Sequence, residues 1–214
     1  ISPSNILLWQ MYVRKLQSIH ECWSLQQSNK SRFILVNKIT SKIGQYVSLY
    51  LPASHAISGC DTTSSLFKIG KRTAYSKLMF NISDLLPLSE LGQSSNITNG
   101  LPTATKYVLL LYGAKGNSYE SLDQPRYHYA CIGDKSASLF PPTDDAFQQQ
   151  TIRVNYQMAI WKHSHETKPV LWKPDGNGWQ LMDNKLEPLM FTKDTAPKEV
   201  RDLTHLYCTD EDCS

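Results

Sequence analysis

The chain has no long apolar run. Its longest, Tyr107 to Tyr112, covers six residues, about a third of the roughly 18 that a membrane-spanning helix needs. This excludes a helical membrane protein. Charge of one sign is also scarce: 22 Lys+Arg against 19 Asp+Glu leave a net charge of +3. Bulk charge is then too small to hold a polyanion, and any nucleic-acid contact has to be local. The five cysteines, Cys22, Cys60, Cys131, Cys208 and Cys213, are odd in number and scattered, unlike the dense even framework of a small secreted domain. They point to a reducing, intracellular compartment, where the N-x-S/T triplets at Asn29, Asn81 and Asn96 carry no glycan. Neither an initiating Met nor a charged-then-apolar leader pattern stands at Ile1, which reads as a piece of something longer. What is present is ample apolar content: 214 residues, 41% hydrophobic and 19% charged, can bury one sizeable core or two small ones.

Periodicity sketches the organisation. Ile6 to Val13 is an apolar run of strand length, readable equally as a short helix, and Phe33-Ile34-Leu35-Val36 is a branched run that suits a neighbouring strand. From Asn37 the period lengthens. Ile39, Ile43, Tyr46, Val47, Leu49, Tyr50 and Leu51 recur at three- and four-residue steps, with Gly44 and Pro52 as punctuation, which predicts two short helices. Another helix should begin after Gly70. The stretch 85–101, rich in Ser, Asn, Pro and Gly, is the expected linker, with a domain boundary near residue 95. Beyond it, Thr103 to Tyr112 reads as a buried helix. Thr143 is a candidate N-cap, with Asp144 and Asp145 in the first turn of a helix running to about His163. Phe147, Val154, Met158 and Trp161 form its apolar face. Lys173 to Trp179 is a turn-dense loop.

The densest local signal is His55-Ala-Ile-Ser-Gly-Cys-Asp-Thr-Thr-Ser-Ser-Leu-Phe-Lys-Ile-Gly-Lys-Arg-Thr-Ala74. An apolar helix ends at a glycine, delivers a carboxylate, and is followed by a Gly-Lys-Arg turn that opens another helix. That arrangement suits phosphate. A helix N-terminus presents unpaired N–H groups with partial positive charge, Gly70 allows close approach, and Lys71 and Arg72 add charge. Asp61 supplies the hard oxygen that Mg²⁺ prefers, although an Asp before Thr-Thr-Ser is also ordinary capping chemistry. A nucleotide-binding P-loop fails on spacing, because Ser65 and Arg72 stand where that motif needs Gly and Ser or Thr.

The same residues resemble the flap-endonuclease and XPG-like nucleases of the PIN-like superfamily, in which a Gly-Cys-Asp carboxylate precedes a helix-hairpin-helix with an Ile-Gly turn. The likeness runs from Phe33 to Ala74. The wording His-Ala-Ile-Ser-Gly-Cys-Asp-Thr-Thr-Ser, with the later Leu-Phe-Pro-Pro-Thr-Asp-Asp-Ala-Phe, Asn155-Tyr156-Gln157 and Gly178-Trp179, also resembles a multicopy group of animal proteins of mobile-element origin. The first resemblance implies that Asp61 is a Mg²⁺-binding catalytic carboxylate, and that Lys68, Ile69, Gly70, Lys71, Arg72 and Thr73 form the turn that grips the DNA backbone. It also implies an acidic pair on the preceding strand, yet Ser2 to Leu7 holds no carboxylate. Two-metal hydrolysis needs several carboxylates around cations about 4 Å apart, so this stretch of chain is expected to be catalytically silent.

Other constellations are weaker. Cys208 and Cys213, with His205, have near-zinc spacing but too few ligands for a structural site; the second resemblance implies that a Cys-rich stretch follows, which would make them the start of a truncated Zn module. Cys60 and His55 fall on different helical faces and do not make a nucleophile pair. Trp161, Trp172, Trp179, Tyr127 and Tyr129 suit stacking on bases, though core packing is the commoner role of such residues. The expectation is therefore a helix-rich α/β chain. Residues 1–94 would form the carboxyl-terminal part of a PIN-like fold with its helix-hairpin-helix, 95–207 a mostly helical second domain, and 208–214 the start of a Cys-rich segment. Its expected partner is DNA, held by backbone contacts in the nucleus, with no membrane. Cleavage by a full-length parent and a non-catalytic scaffold are the alternatives.

Overall fold

A computed structural model describes residues 23–26, 32–114, 119–132 and 136–193. Strands β1 (Trp23–Gln26) and β2 (Arg32–Leu35) pair antiparallel, with Trp23 opposite Leu35 and Gln26 opposite Arg32. The chain passes straight into α1 (Val36–Ile43) and, after Gly44, into α2 (Gln45–Ile57). A loop over 58–70 leads to α3 (Lys71–Phe80) and a 3-10 helix (Ile82–Glu90). Then follow α4 (Gly100–Leu111), α5 (Asp123–Ile132), a 3-10 turn (Ala137–Leu139) and the long α6 (Asp144–Lys162). A hairpin of β3 (Trp179–Met182) and β4 (Lys185–Pro188) completes the described chain. Helices dominate, and none among the described residues is long and apolar enough to cross a membrane.

Several elements fall where the periodicity places them: the strand at Phe33, the helix beginning after Gly70, the buried helix through Tyr107, and α6. Pro52 does not punctuate. It lies inside α2, where it removes one N–H from the ladder. The helix continues because Leu51, Ala53, Ala56 and Ile57 around it are buried in the core, and packing outweighs the lost bond. The segment after Lys173 also differs, since β3 and β4 follow the turn-dense loop. Asp183 and Asn184 both take positive φ, 48° and 60°, the signature of a two-residue hairpin turn. The run Ile6 to Val13 and the Cys208 and Cys213 segment lie outside the described residues.

The boundary expected near residue 95 does not separate two cores. Val36, Leu51, Ile57, Leu78 and Leu88 pack in one buried cluster with Tyr107, Val108, Phe147 and Met158. The Ser- and Asn-rich stretch that reads as a linker is instead fastened to α6. Asn155 is 1% exposed; its Oδ1 accepts from Gly92 N–H at 2.6 Å and its Nδ2 donates to the Ser94 carbonyl at 2.7 Å.

That pattern repeats along α6. Gln150 Nε2 donates to the carbonyls of Ile57 and Ser64. Gln157 Oε1 accepts from Thr62 Oγ1 at 2.6 Å. Lys162 Nζ donates to the Ser89 carbonyl at 2.7 Å, and Arg153 Nη1 to those of Gly178 and Leu189. Loop backbone buried without partners would cost about 1–3 kcal/mol per group. The polar side chains of α6 supply those partners while Phe147, Val154, Met158 and Trp161 fill the core.

Thr143 caps α6 as its sequence position predicts, its Oγ1 accepting from Ala146 N–H at 3.2 Å. Thr143→Ala is expected to cost about 1 kcal/mol. Urea denaturation followed by circular dichroism checks this, and an unchanged midpoint would show that the cap is dispensable.

Candidate nucleic-acid interface

The loop between α2 and α3 is closed at its neck. Gly59 has φ 105°, and a Cβ there would collide with the Ser65 backbone, so the Gly of the Gly-Cys-Asp motif is required by close approach. Cys60 and Thr63 exchange backbone hydrogen bonds at 3.2 Å in both directions, and Thr63 Oγ1 donates to the Ala56 carbonyl at 2.7 Å. Cys60 packs against the core, as a small thiol does. Asp61 sits at the exposed tip of this turn. It caps no helix, since the N-cap of α3 is Gly70 and no side chain caps that helix.

Asp61 also stands apart from other ligands. Among the described residues no group of three His, Cys, Asp or Glu side chains could hold a metal ion. A single exposed carboxylate does not fit a two-cation Mg²⁺ centre, and no catalytic step follows from it.

The Gly70 turn is arranged differently from its sequence reading at one residue. Lys71 turns inward: its Nζ donates to the His55 carbonyl at 2.8 Å, to Ser58 Oγ at 2.9 Å and to the Gly59 carbonyl. The physical reason is the C-terminus of α2, whose last carbonyls lack intrahelical donors and carry the negative end of the helix dipole. Lys71 therefore ties α3 to α2. Burial lowers its pKa from the usual lysine value.

The rest of the turn faces outward. Lys68 is exposed with φ 58°, Ile69 is partly buried against the core, and Gly70 is exposed with open space where a Cβ would stand. No acidic residue occupies the first turn of α3. Arg72 and Thr73 are exposed and join Ser76, Lys77, Phe80 and Asn81 along an open groove of about 590 Å³. Phe80 is 86% exposed. Sequence reasoning centred on 68–73 missed the continuation of this face to Lys77 and Phe80, although the helical steps from Arg72 to Ser76 and Phe80 were available to show it.

Behind the turn, the His55 ring lies 6.1 Å from that of Trp161. Burial, and then the neighbouring Lys71 charge, pull its pKa down from 6.5 to about 4. The neutral ring is thus the folded form. Protonation favours the unfolded chain, so stability present above pH 6.5 should fall as the pH drops from about 6.5 to about 4. The loss should be on the order of 1–2 kcal/mol once solvent screening of this partly exposed ring is allowed for. Urea denaturation at pH 7.5 and pH 4.5 measures it. His55→Gln should lose most of that dependence; an equal dependence in the variant would assign it elsewhere.

The aromatic candidates separate. Trp161 is core, Trp172 packs edge-on against Tyr156, Tyr127 is exposed, and Tyr129 stacks obliquely with Phe140. They do not form one platform. Comparison with known protein families, curated proteins and solved structures gave no match.

Proposed function

We propose that the chain binds nucleic acid through the phosphate backbone, on the face formed by the Gly70 turn and the outer side of α3. The observation that carries this reading is the uncapped start of α3. Its first-turn amides lack a side-chain acceptor and no carboxylate opposes them; Lys68 and Arg72 flank them in sequence, and Lys77 stands in the last turn of the same helix. Amides, hydroxyls and cations of this kind hold phosphate oxygens without reading bases. In the same reading, α2 and α3, which pack against each other, are the helices of a helix-hairpin-helix. The chain is then a degenerate, non-catalytic derivative of a PIN-like nuclease of mobile-element origin. The contacts go to the backbone, so the preference for base sequence is weak.

Titration of a fluorescent flap DNA, with Mg²⁺ or with EDTA, tests it. The expected result is binding that weakens steeply with salt, without strand cleavage in either buffer. Cleavage that depends on Mg²⁺ would overturn the non-catalytic assignment, and absence of binding by folded protein at low salt would overturn the reading itself.

A further inference from the structure

Arg153 presents an unusual balance. It is 2% exposed and forms no ion pair among the described residues. A guanidinium out of water without a counter-charge is costly. Its Nη1 is engaged by the Gly178 and Leu189 carbonyls, and its Nη2 lies 4.0 Å from the Met190 thioether, a weak acceptor. Burial lowers its pKa from the ordinary arginine value, with no carboxylate acting against that shift.

The same side chain lines a cleft of about 230 Å³ between the 64–67 loop, Tyr112, the start of α6 and Met190. Its walls include Phe67, Tyr112, Phe140 and Pro142, and none of its lining residues is acidic. Flat apolar walls around a few convergent polar groups are the usual composition of a small-molecule site. A buried cation at such a wall complements one negative charge, and planar guanidinium geometry matches a carboxylate or a phosphate. Ser64 and Ser65 line the same cleft, and a hydroxyl turned into it would supply a donor for a second oxygen.

We propose that this cleft is a binding site for a small organic anion, a flat apolar body carrying one carboxylate or phosphate. Its charge lies against Arg153 and its ring between Phe67 and Phe140. The site adjoins the Gly70 turn, where the Lys68 ammonium lies 5.6 Å from the Phe67 ring centroid, but the cleft has its own cation, Arg153.

Isothermal titration of the folded protein with benzoate, phenyl phosphate and neutral benzyl alcohol tests it, the two anions distinguishing the headgroups. Saturable binding of at least one anion is expected, with benzyl alcohol at least tenfold weaker. Arg153 also holds the hairpin, so the discriminating variants leave it in place. Ala146→Phe should fill the cleft and abolish anion binding. Phe67→Ala, at a half-exposed side chain, should weaken binding at least fivefold without unfolding the chain. Absence of saturable binding by both anions would overturn the proposal. So would benzyl alcohol binding as tightly as the anions, or anion affinities unchanged in the Phe67→Ala variant.

Discussion

Gly92→Ala is expected to destabilise the chain severely. Gly92 has φ 79°, a region that residues with a Cβ rarely adopt. A Cβ there would sit 2.5 Å from the Ala159 nitrogen and 2.6 Å from the Met158 carbonyl carbon. Both obstacles are backbone of α6, which cannot swing aside as a flexible side chain would. Relief requires moving the segment around Leu91 and breaking the 2.6 Å bond from Gly92 N–H to Asn155 Oδ1. Strain, a lost buried hydrogen bond and separation of Leu91 from the core together should exceed about 4 kcal/mol. Against a typical total stability of about 5–15 kcal/mol, that is from about a quarter to most of the reserve. Asn155→Ala removes the same fastening without the clash and should cost roughly half as much, about 2 kcal/mol. Thermal melts by circular dichroism distinguish the two. A Gly92→Ala protein melting within about 5 °C of the parent would show that the close approach to α6 is not needed.

The second large effect concerns binding. Arg72→Ala combined with Lys77→Ala should lower affinity for duplex DNA at low salt by roughly 10- to 100-fold, since it removes two cations from the face of α3. Neither side chain belongs to the buried core, so the variant should melt as the parent does. Lys71→Ala would be a poor test of the same idea. Its ammonium is engaged by three acceptors at the end of α2, and its loss would register as instability before it registered as weaker binding.

Local chemistry was legible in the sequence wherever one residue type has one mechanism. Thr143 before Asp144 and Asp145 announces a helix start, because a hydroxyl capping N–H groups and carboxylates facing the dipole are short-range effects. Gly70 before a basic run announces another. The assembly was not legible where polarity has two meanings. Gln150, Asn155 and Gln157 are residue types usual on a solvated helix face, yet they are buried and hold the loops packed against α6. An amide that bonds water and one that bonds a carbonyl 61 to 93 residues away have the same local sequence. The same holds for the supposed linker near residue 95 and for Lys71. Their partners, Asn155 and the carbonyls of α2, are set by tertiary packing. The face from Lys68 to Phe80 was half legible: the turn carried its own signal, whereas its extension along α3 needed the groove that Lys77 shares with the exposed Phe80 to become visible.

The most direct test of backbone binding is the slope of log Kd against log salt for duplex DNA, measured by fluorescence anisotropy on the parent and on the Arg72→Ala, Lys77→Ala variant. With Lys68, Arg72 and Lys77 each neutralising about one phosphate, the parent slope should be about 3 in magnitude, and the variant slope smaller by about 2. Equal slopes in the two proteins, or no binding by a folded parent at low salt, would contradict the account.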